Sequence, residues 1–221
     1  MCGRFTFVVD LDEVMEQYEL SLPIDYPTRY NIAPTQEVFV VINDGDKNRA
    51  GTMSWGLIPS WAKDASMQSK MINARVETAD VKPSFKKLME RRRCLILADS
   101  FYEWKKTENG KKPLRISVKD RNFFAFAGLW DRWTHEDGEK VTCTILTKDA
   151  NEQLKDIHHR MPVVLPKEYE MDWIKREVKN PTEVKEWILE LPDETFEHYE
   201  VSSYVNNSRN EGEECIKPLV N

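Results

Sequence analysis

Four short segments of this chain carry side chains whose types could do covalent chemistry. The first is Met1-Cys2-Gly3-Arg4-Phe5. Removal of the initiator methionine, which a small second residue permits, would leave Cys2 with a free α-amine and a thiol on adjacent carbons. A 1,2-aminothiol captures aldehydes: the amine condenses to a Schiff base, and the thiol then closes a five-membered thiazolidine ring. An α-amine with a pKa of ~8 is substantially unprotonated near neutrality, whereas a lysine at ~10.4 is not. Gly3 lets the backbone turn sharply beside a substrate. An ordinary cysteine at position 2 is the bland alternative.

The second segment, Asn73-Ala74-Arg75-Val76-Glu77, follows the tryptophan-rich stretch from Trp55 to Trp61. An asparagine can donate to an oxyanion or orient a reacting group, and an arginine can fork onto phosphate. Trp55 and Trp61 are either core anchors or platforms for stacked bases, and for a tryptophan alone the core is favoured. The third is Phe101-Tyr102-Glu103-Trp104. A carboxylate between aromatic neighbours at a strand end is poorly solvated, which suits a general acid/base; an exposed Glu on an alternating strand is the competing view. The fourth, Ile157-His158-His159-Arg160-Met161-Pro162, holds two of the four histidines. Histidine shuttles protons near neutral pH, and neighbours on an extended segment point to opposite sides, so one of the pair faces a given site. A zinc pair would need further ligands that the sequence does not supply.

These residues need a frame. Apolar runs predict strands over 38–42, 50–57, 94–101, 114–118, 123–130 and 141–147, with turns at Asn109-Gly110 and Asp137-Gly138 closing hairpins. Helical patterns cover 11–19, 84–93, 150–157 and 182–189, the last opened by Pro181 and Thr182 and stopped by Pro192. Strands fill the middle without a βαβ rhythm. The expected fold is α+β: a single domain over residues 1–221 with a mainly antiparallel, barrel-like sheet flanked by helices.

Composition bounds the function. The chain has 221 residues, 32 Lys+Arg against 38 Asp+Glu, and a net charge of −6. That average argues against nucleic acid, but it hides a division. Residues 60–93 carry nine basic and four acidic residues, a local +5, while residues 166–221 carry seven and fourteen, a local −7. The four cysteines, at 2, 94, 143 and 215, form no C-x-x-C pair, so neither a structural zinc site nor a disulfide framework is expected. Cys94 and Cys143 read as small core residues. Without a secretory signal or a bilayer-spanning apolar segment, a reducing cytoplasm is the expected compartment.

Taken in order, Met1-Cys2-Gly3-Arg4-Phe5, Tyr30-Asn31-Ile32-Ala33-Pro34-Thr35, Trp55-Gly56-Leu57-Ile58-Pro59, Asn73-Ala74-Arg75 with Glu77, Phe101-Tyr102-Glu103-Trp104 and His158-His159-Arg160-Met161-Pro162 resemble the SOS-response-associated peptidase (SRAP) family, as does a stretch over 205–218. The resemblance covers essentially the whole chain. It implies a monomeric, cofactor-free and metal-free shield of abasic sites in single-stranded DNA, cytoplasmic and nucleoid-associated if bacterial. Cys2 would be the nucleophile, Asn73 would orient its amine and the opened sugar, Glu103 would act as acid/base, and His158 would assist Schiff-base formation. Arg4, Arg75 and Arg160 would bind phosphate, Trp55 or Trp61 would lie against flanking bases, and Gly3, Asn31 and Pro34 would shape the pocket. A thiol peptidase acting in trans and a non-covalent binder of single-stranded nucleic acid are the alternatives.

Overall fold

The computed structural model describes residues 2–21, 25–136 and 138–219. The chain begins with β1 (Phe5–Phe7), α1 (Leu11–Gln17), β2 (Arg29–Ile32) and a hairpin of β3 (Glu37–Asn43) with β4 (Asn48–Trp55). A 3-10 turn over Ala65–Lys70 leads to β5 (Asn73–Arg75), α2 (Val76–Ala79) and α3 (Lys86–Arg91). Five long strands follow: β6 (Arg93–Ala98), β7 (Ser100–Thr107), β8 (Gly110–Val118), β9 (Phe124–His135) and β10 (Gly138–Asp149). The last third holds β11 (Arg160–Pro162), β12 (Val164–Leu165), α4 (Lys167–Ile174), α5 (Pro181–Glu190) and β13 (Phe196–Glu200).

Strand β10 pairs parallel with β4, then β4 with β3, β3 with β6, β6 with β9 and β9 back with β10, closing a five-stranded barrel. A second sheet, in the order β13-β8-β7-β1-β2, is antiparallel throughout. The two meet on an aromatic seam. Phe5 contacts Trp55 and Phe126 edge-on at 5.0 and 5.5 Å, and Phe101 meets Phe126 at 6.0 Å. Each such ring, taken from water to full burial, contributes on the order of 2–3 kcal/mol. The expected α+β barrel-like architecture is the one observed. Among the described residues no helix is long and apolar enough to cross a membrane.

Two expectations change. The single strand predicted over 94–101 is two, because the chain passes from the barrel to the second sheet at Asp99. There the buried carboxylate accepts from Thr6 Oγ1 (2.8 Å), the Val8 N–H (2.7 Å) and Arg115 (2.5 Å). The helix predicted over 150–157 is a set of turns: the Asn151 side chain takes the N–H groups of Gln153 and Leu154, competing with helical bonding. At the second predicted turn Gly138 pairs with His135, while Asp137 lies outside the described residues. Gly56 has a physical reason within its motif. It sits at φ +124°, and a Cβ there would come within 2.4 Å of the Gln68 carbonyl oxygen, so only glycine lets the 56–71 loop fold back.

Candidate functional site

Strand β10 gathers the site. Beyond Cys143 it parts from β4 and takes β5 in parallel, with Ile145 opposite Asn73 and Thr147 opposite Arg75. From Thr147 onward it also takes β11, with Asp149 opposite Arg160. Asn73 and the histidine segment thus approach one strand end from two edges. Strand β1 lies between β2 and β7, and the Arg4 carbonyl accepts the Tyr102 N–H at 2.9 Å, so the residues before β1 run alongside Glu103.

Four predicted residues converge here. Asn73 Nδ2 donates to the Cys2 carbonyl oxygen at 2.8 Å. Cys2 is fully buried and Glu103 nearly so. Burial, then the negative charge of Glu103, push the Cys2 thiol well above its ordinary range. The same carboxylate acts on His158, whose ring burial nevertheless pulls below the usual imidazole value. His158 Nδ1 is held by the Arg160 backbone, 2.9 Å from its N–H and 3.1 Å from its carbonyl oxygen. The pair does not splay as an extended segment would: the chain bends, and the two imidazoles stack with centroids 4.4 Å apart.

Of the three arginines assigned to phosphate, two are engaged internally. Arg160 is buried, forks onto both oxygens of Glu77 (2.7 and 2.9 Å), and reaches Asp149 and the Thr147 carbonyl. It holds α2 to β10 and offers nothing outward. Arg4 Nη1 donates to Asn31 Oδ1 and the Val205 carbonyl, both at 2.8 Å, and its guanidinium lies 5.7 Å over the Trp104 ring. Asn31 Nδ2 adds bonds to the carbonyls of Val205, Asn207 and Asn210, at 3.3, 3.0 and 2.8 Å. Arg4 and Asn31 therefore fasten a C-terminal strap over residues 202–216 beside the Cys2 segment.

Arg75 alone is exposed. With Lys70 and Lys82 it rims a groove of about 340 Å³ that includes Asn73 and Thr147 and is floored by Met67, Met71 and Phe85, with no carboxylate among the described residues of its lining. Lys70 and Lys82 are visible in the sequence only through the local charge over 60–93, and nothing in the sequence marks Glu77 as the partner of Arg160. Trp55 cannot serve as a base platform, since it is fully buried and its Nε1 donates to the Ile72 carbonyl at 2.9 Å. Trp61 is 59% exposed. Gly3 is half-buried, as is Pro34, which enters a turn where Thr35 has φ +72° and donates its N–H to the Trp55 carbonyl at 2.7 Å.

The model of the SOS response associated peptidase (SRAP) family matches residues 1–208. This chain belongs to the SRAP family. It is 45% identical to the abasic site processing protein YoqW of Bacillus subtilis, over 98% of this chain and 99% of that one. It is 31% identical to the abasic site processing protein YedK of Escherichia coli, over 99% and 100%. The crystal structure of a Bacteroides thetaiotaomicron protein superposes with a TM-score of 0.86 at 24% identity, over 99% of this chain and 100% of that one, a likeness of fold. In this SRAP chain the matched span holds Cys2, Asn73, Glu103 and His158 and ends within the strap.

Proposed function

We propose that this protein processes abasic sites in single-stranded DNA by forming a covalent thiazolidine at Cys2. The observation that carries the reading is the Asn73 hydrogen bond to the Cys2 carbonyl, made where the charge of Glu103 reaches both Cys2 and His158. The names of YoqW and YedK as abasic site processing proteins support it.

The chemistry starts with loss of Met1, since a peptide nitrogen cannot condense. The freed α-amine adds to the C1′ aldehyde of the ring-opened sugar, and the carbinolamine loses water to give an imine. The Cys2 sulfur then adds to the imine carbon while the thiol proton passes to nitrogen, closing the ring with one water released overall. Burial keeps the thiol protonated at neutral pH, which disfavours a thiolate peptidase and suits an amine that reacts first. Asn73 holds the Cys2 backbone, Glu103 moves protons during sugar opening and imine formation, and His158, with its Nδ1 held by the Arg160 backbone, assists from Nε2. The Arg75, Lys70 and Lys82 rim takes the backbone phosphates, and Trp61 meets a neighbouring base. Every group comes from one chain, so a monomer suffices, and a reducing cytoplasm keeps the thiol free for ring closure.

The test is to confirm Met1 removal by intact mass and incubate the protein with a single-stranded oligonucleotide bearing one abasic site. The expected result is a band shift that survives a denaturing gel and disappears in Cys2→Ala. Folded, Met1-free protein that gives no shifted band would sink the reading.

A further inference from the structure

At the barrel end away from Asn73, a cleft of about 710 Å³ opens between the β3–β4 turn, the C-terminal ends of α3 and α4, and β9 around Trp130. The registers separate the two places. Trp55 at the end of β4 pairs with Cys143, two residues before Asn73's partner, whereas Asn43 closes β3 at the opposite end, where Arg93 opens β6. Seven residues of β3 at ~3.3 Å rise put them roughly 20 Å apart.

Among the described residues six cations line this cleft, Arg91, Arg92, Arg93, Arg132, Lys175 and Arg176, against one carboxylate, Asp44. That carboxylate is already engaged by the N–H groups of Asp46 and Lys47, each at 3.0 Å, and by Arg49 Nε at 2.6 Å. Arg93 has a structural task, holding carbonyls of α3 and α4 including Met89 and Trp173. Arg176 donates to the Asp44 carbonyl, and two of the others hold only exposed partners. Arg132–Glu139 and Lys175–Asp172 are exposed pairs, at 3.2 and 2.5 Å, of a kind that contributes under about 1 kcal/mol and yields readily to a phosphate. Arg92 pairs with Asp131 and lies 5.1 Å over the half-buried Trp130 ring. Five of the six cations are arginines, whose planar forks match phosphate oxygens, and a tryptophan lies among them. A chain with a net charge of −6 concentrates this much positive charge against its own average.

We propose that this distal cleft is a second nucleic-acid site, which takes the phosphodiester backbone of a strand extending beyond the nucleotide held at Cys2. The proposal rests on the first site being a DNA site, and the test keeps the two apart. An extended single strand advances up to ~6–7 Å per nucleotide, about twice the duplex rise, so a span of roughly 20 Å lies beyond a three-nucleotide strand and well within a 30-mer.

The experiment measures fluorescence anisotropy of an undamaged 30-nucleotide single strand across a salt series, and cross-linking of a three-nucleotide strand with a central abasic site, with the full-length protein. The double variant Arg91→Glu, Arg132→Glu should weaken 30-mer binding about tenfold or more. Its salt slope should fall by ~1.4, as loss of two phosphate contacts predicts. Its cross-linking rate to the abasic 3-mer should match wild type. The double variant Lys119→Glu, Lys167→Glu changes the overall charge equally and should keep 30-mer affinity. The proposal is overturned by an unaltered 30-mer affinity in the cleft variant, or by equal loss in the control. It is also overturned if poly-glutamate or inorganic pyrophosphate occupies the cleft as tightly as the 30-mer. Wild-type protein that fails to cross-link the abasic 3-mer, with the cleft effect intact, would strike the first site alone.

Discussion

Arg160 grips both carboxylate oxygens of Glu77 across 83 residues of sequence, at 2.7 and 2.9 Å, and so ties helix α2 to the segment that carries His158. The arginine is buried while the glutamate is partly open to water. Breaking such a pair from the buried side leaves other buried groups unmatched. Arg160→Ala should therefore cost about 3 kcal/mol of unfolding free energy, and Glu77→Gln about 1, in urea titrations.

The same pair has a pH signature. Burial raises the Glu77 carboxyl, but the hydrogen bond and charge of Arg160 outweigh it and hold the group below its ordinary value. A depressed folded-state pKa contributes stability above the unfolded value of ~4.3 and loses it as pH falls through the folded one. Wild type should therefore lose stability more steeply than Glu77→Gln between pH ~5 and ~2. Parallel curves from acid titration of the two proteins would remove Glu77 from the acid response.

The two tryptophans should separate cleanly. Trp55→Ala empties a fully enclosed space against Phe5 and should cost ~3–5 kcal/mol, read as a large fall in Tm. Trp61→Ala should leave Tm nearly unchanged and weaken single-stranded DNA binding by ~1–3 kcal/mol. Unchanged affinity in that variant would withdraw Trp61 from the DNA path.

For Glu103 and His158 the readout is rate. Glu103→Gln should slow adduct formation or reversal by about 10²-fold or more and change affinity for undamaged DNA little. Equal loss in both would make Glu103 a positioning residue. His158 acts as the neutral ring, and its lowered value puts the acid limb of the rate profile below pH ~6.5. That limb should vanish in His158→Gln; a limb that persists belongs to another group.

Asn31→Ala should loosen the C-terminal strap, because three carbonyls and one Arg4 bond lose their partner together. A stability loss of about 2–3 kcal/mol is expected. The adduct rate on a short abasic strand should fall further than DNA affinity. Hydrogen exchange at 205–210 should rise in the variant, and protection equal to wild type would place the fastening elsewhere.

Continuous apolar runs bounded by turn residues were legible because they demand burial whatever packs against them. Val38 to Ile42 and the Asn109-Gly110 hairpin appear where pattern and turn chemistry put them. The break at Asp99 was not, since both flanking halves are equally apolar and the switch of sheets is decided by Arg115 and Thr6 from elsewhere in the chain. Strands β5 and β11 have three residues each, too few to show a period, and exist because β10 offers its edges. The reactive side chains stood out by type. What each arginine does was hidden, because Glu77, Asn31 and Val205 lie far from their partners in sequence and only the fold brings them together.

The bond from Arg4 to the Val205 carbonyl spans 201 residues, and this imposes an order in time. During synthesis, residues 2–31 leave the ribosome first, and the 205–210 segment that fastens them follows almost the whole remaining chain. Throughout that interval the N-terminal stretch has nothing to dock its strap. Any aminopeptidase that removes Met1 has its window then, while the stretch is still a flexible nascent tail. Docking of the final segment then fixes Arg4, two residues from Cys2, so the setting of the N-terminal segment is completed only when nearly the whole chain has been made.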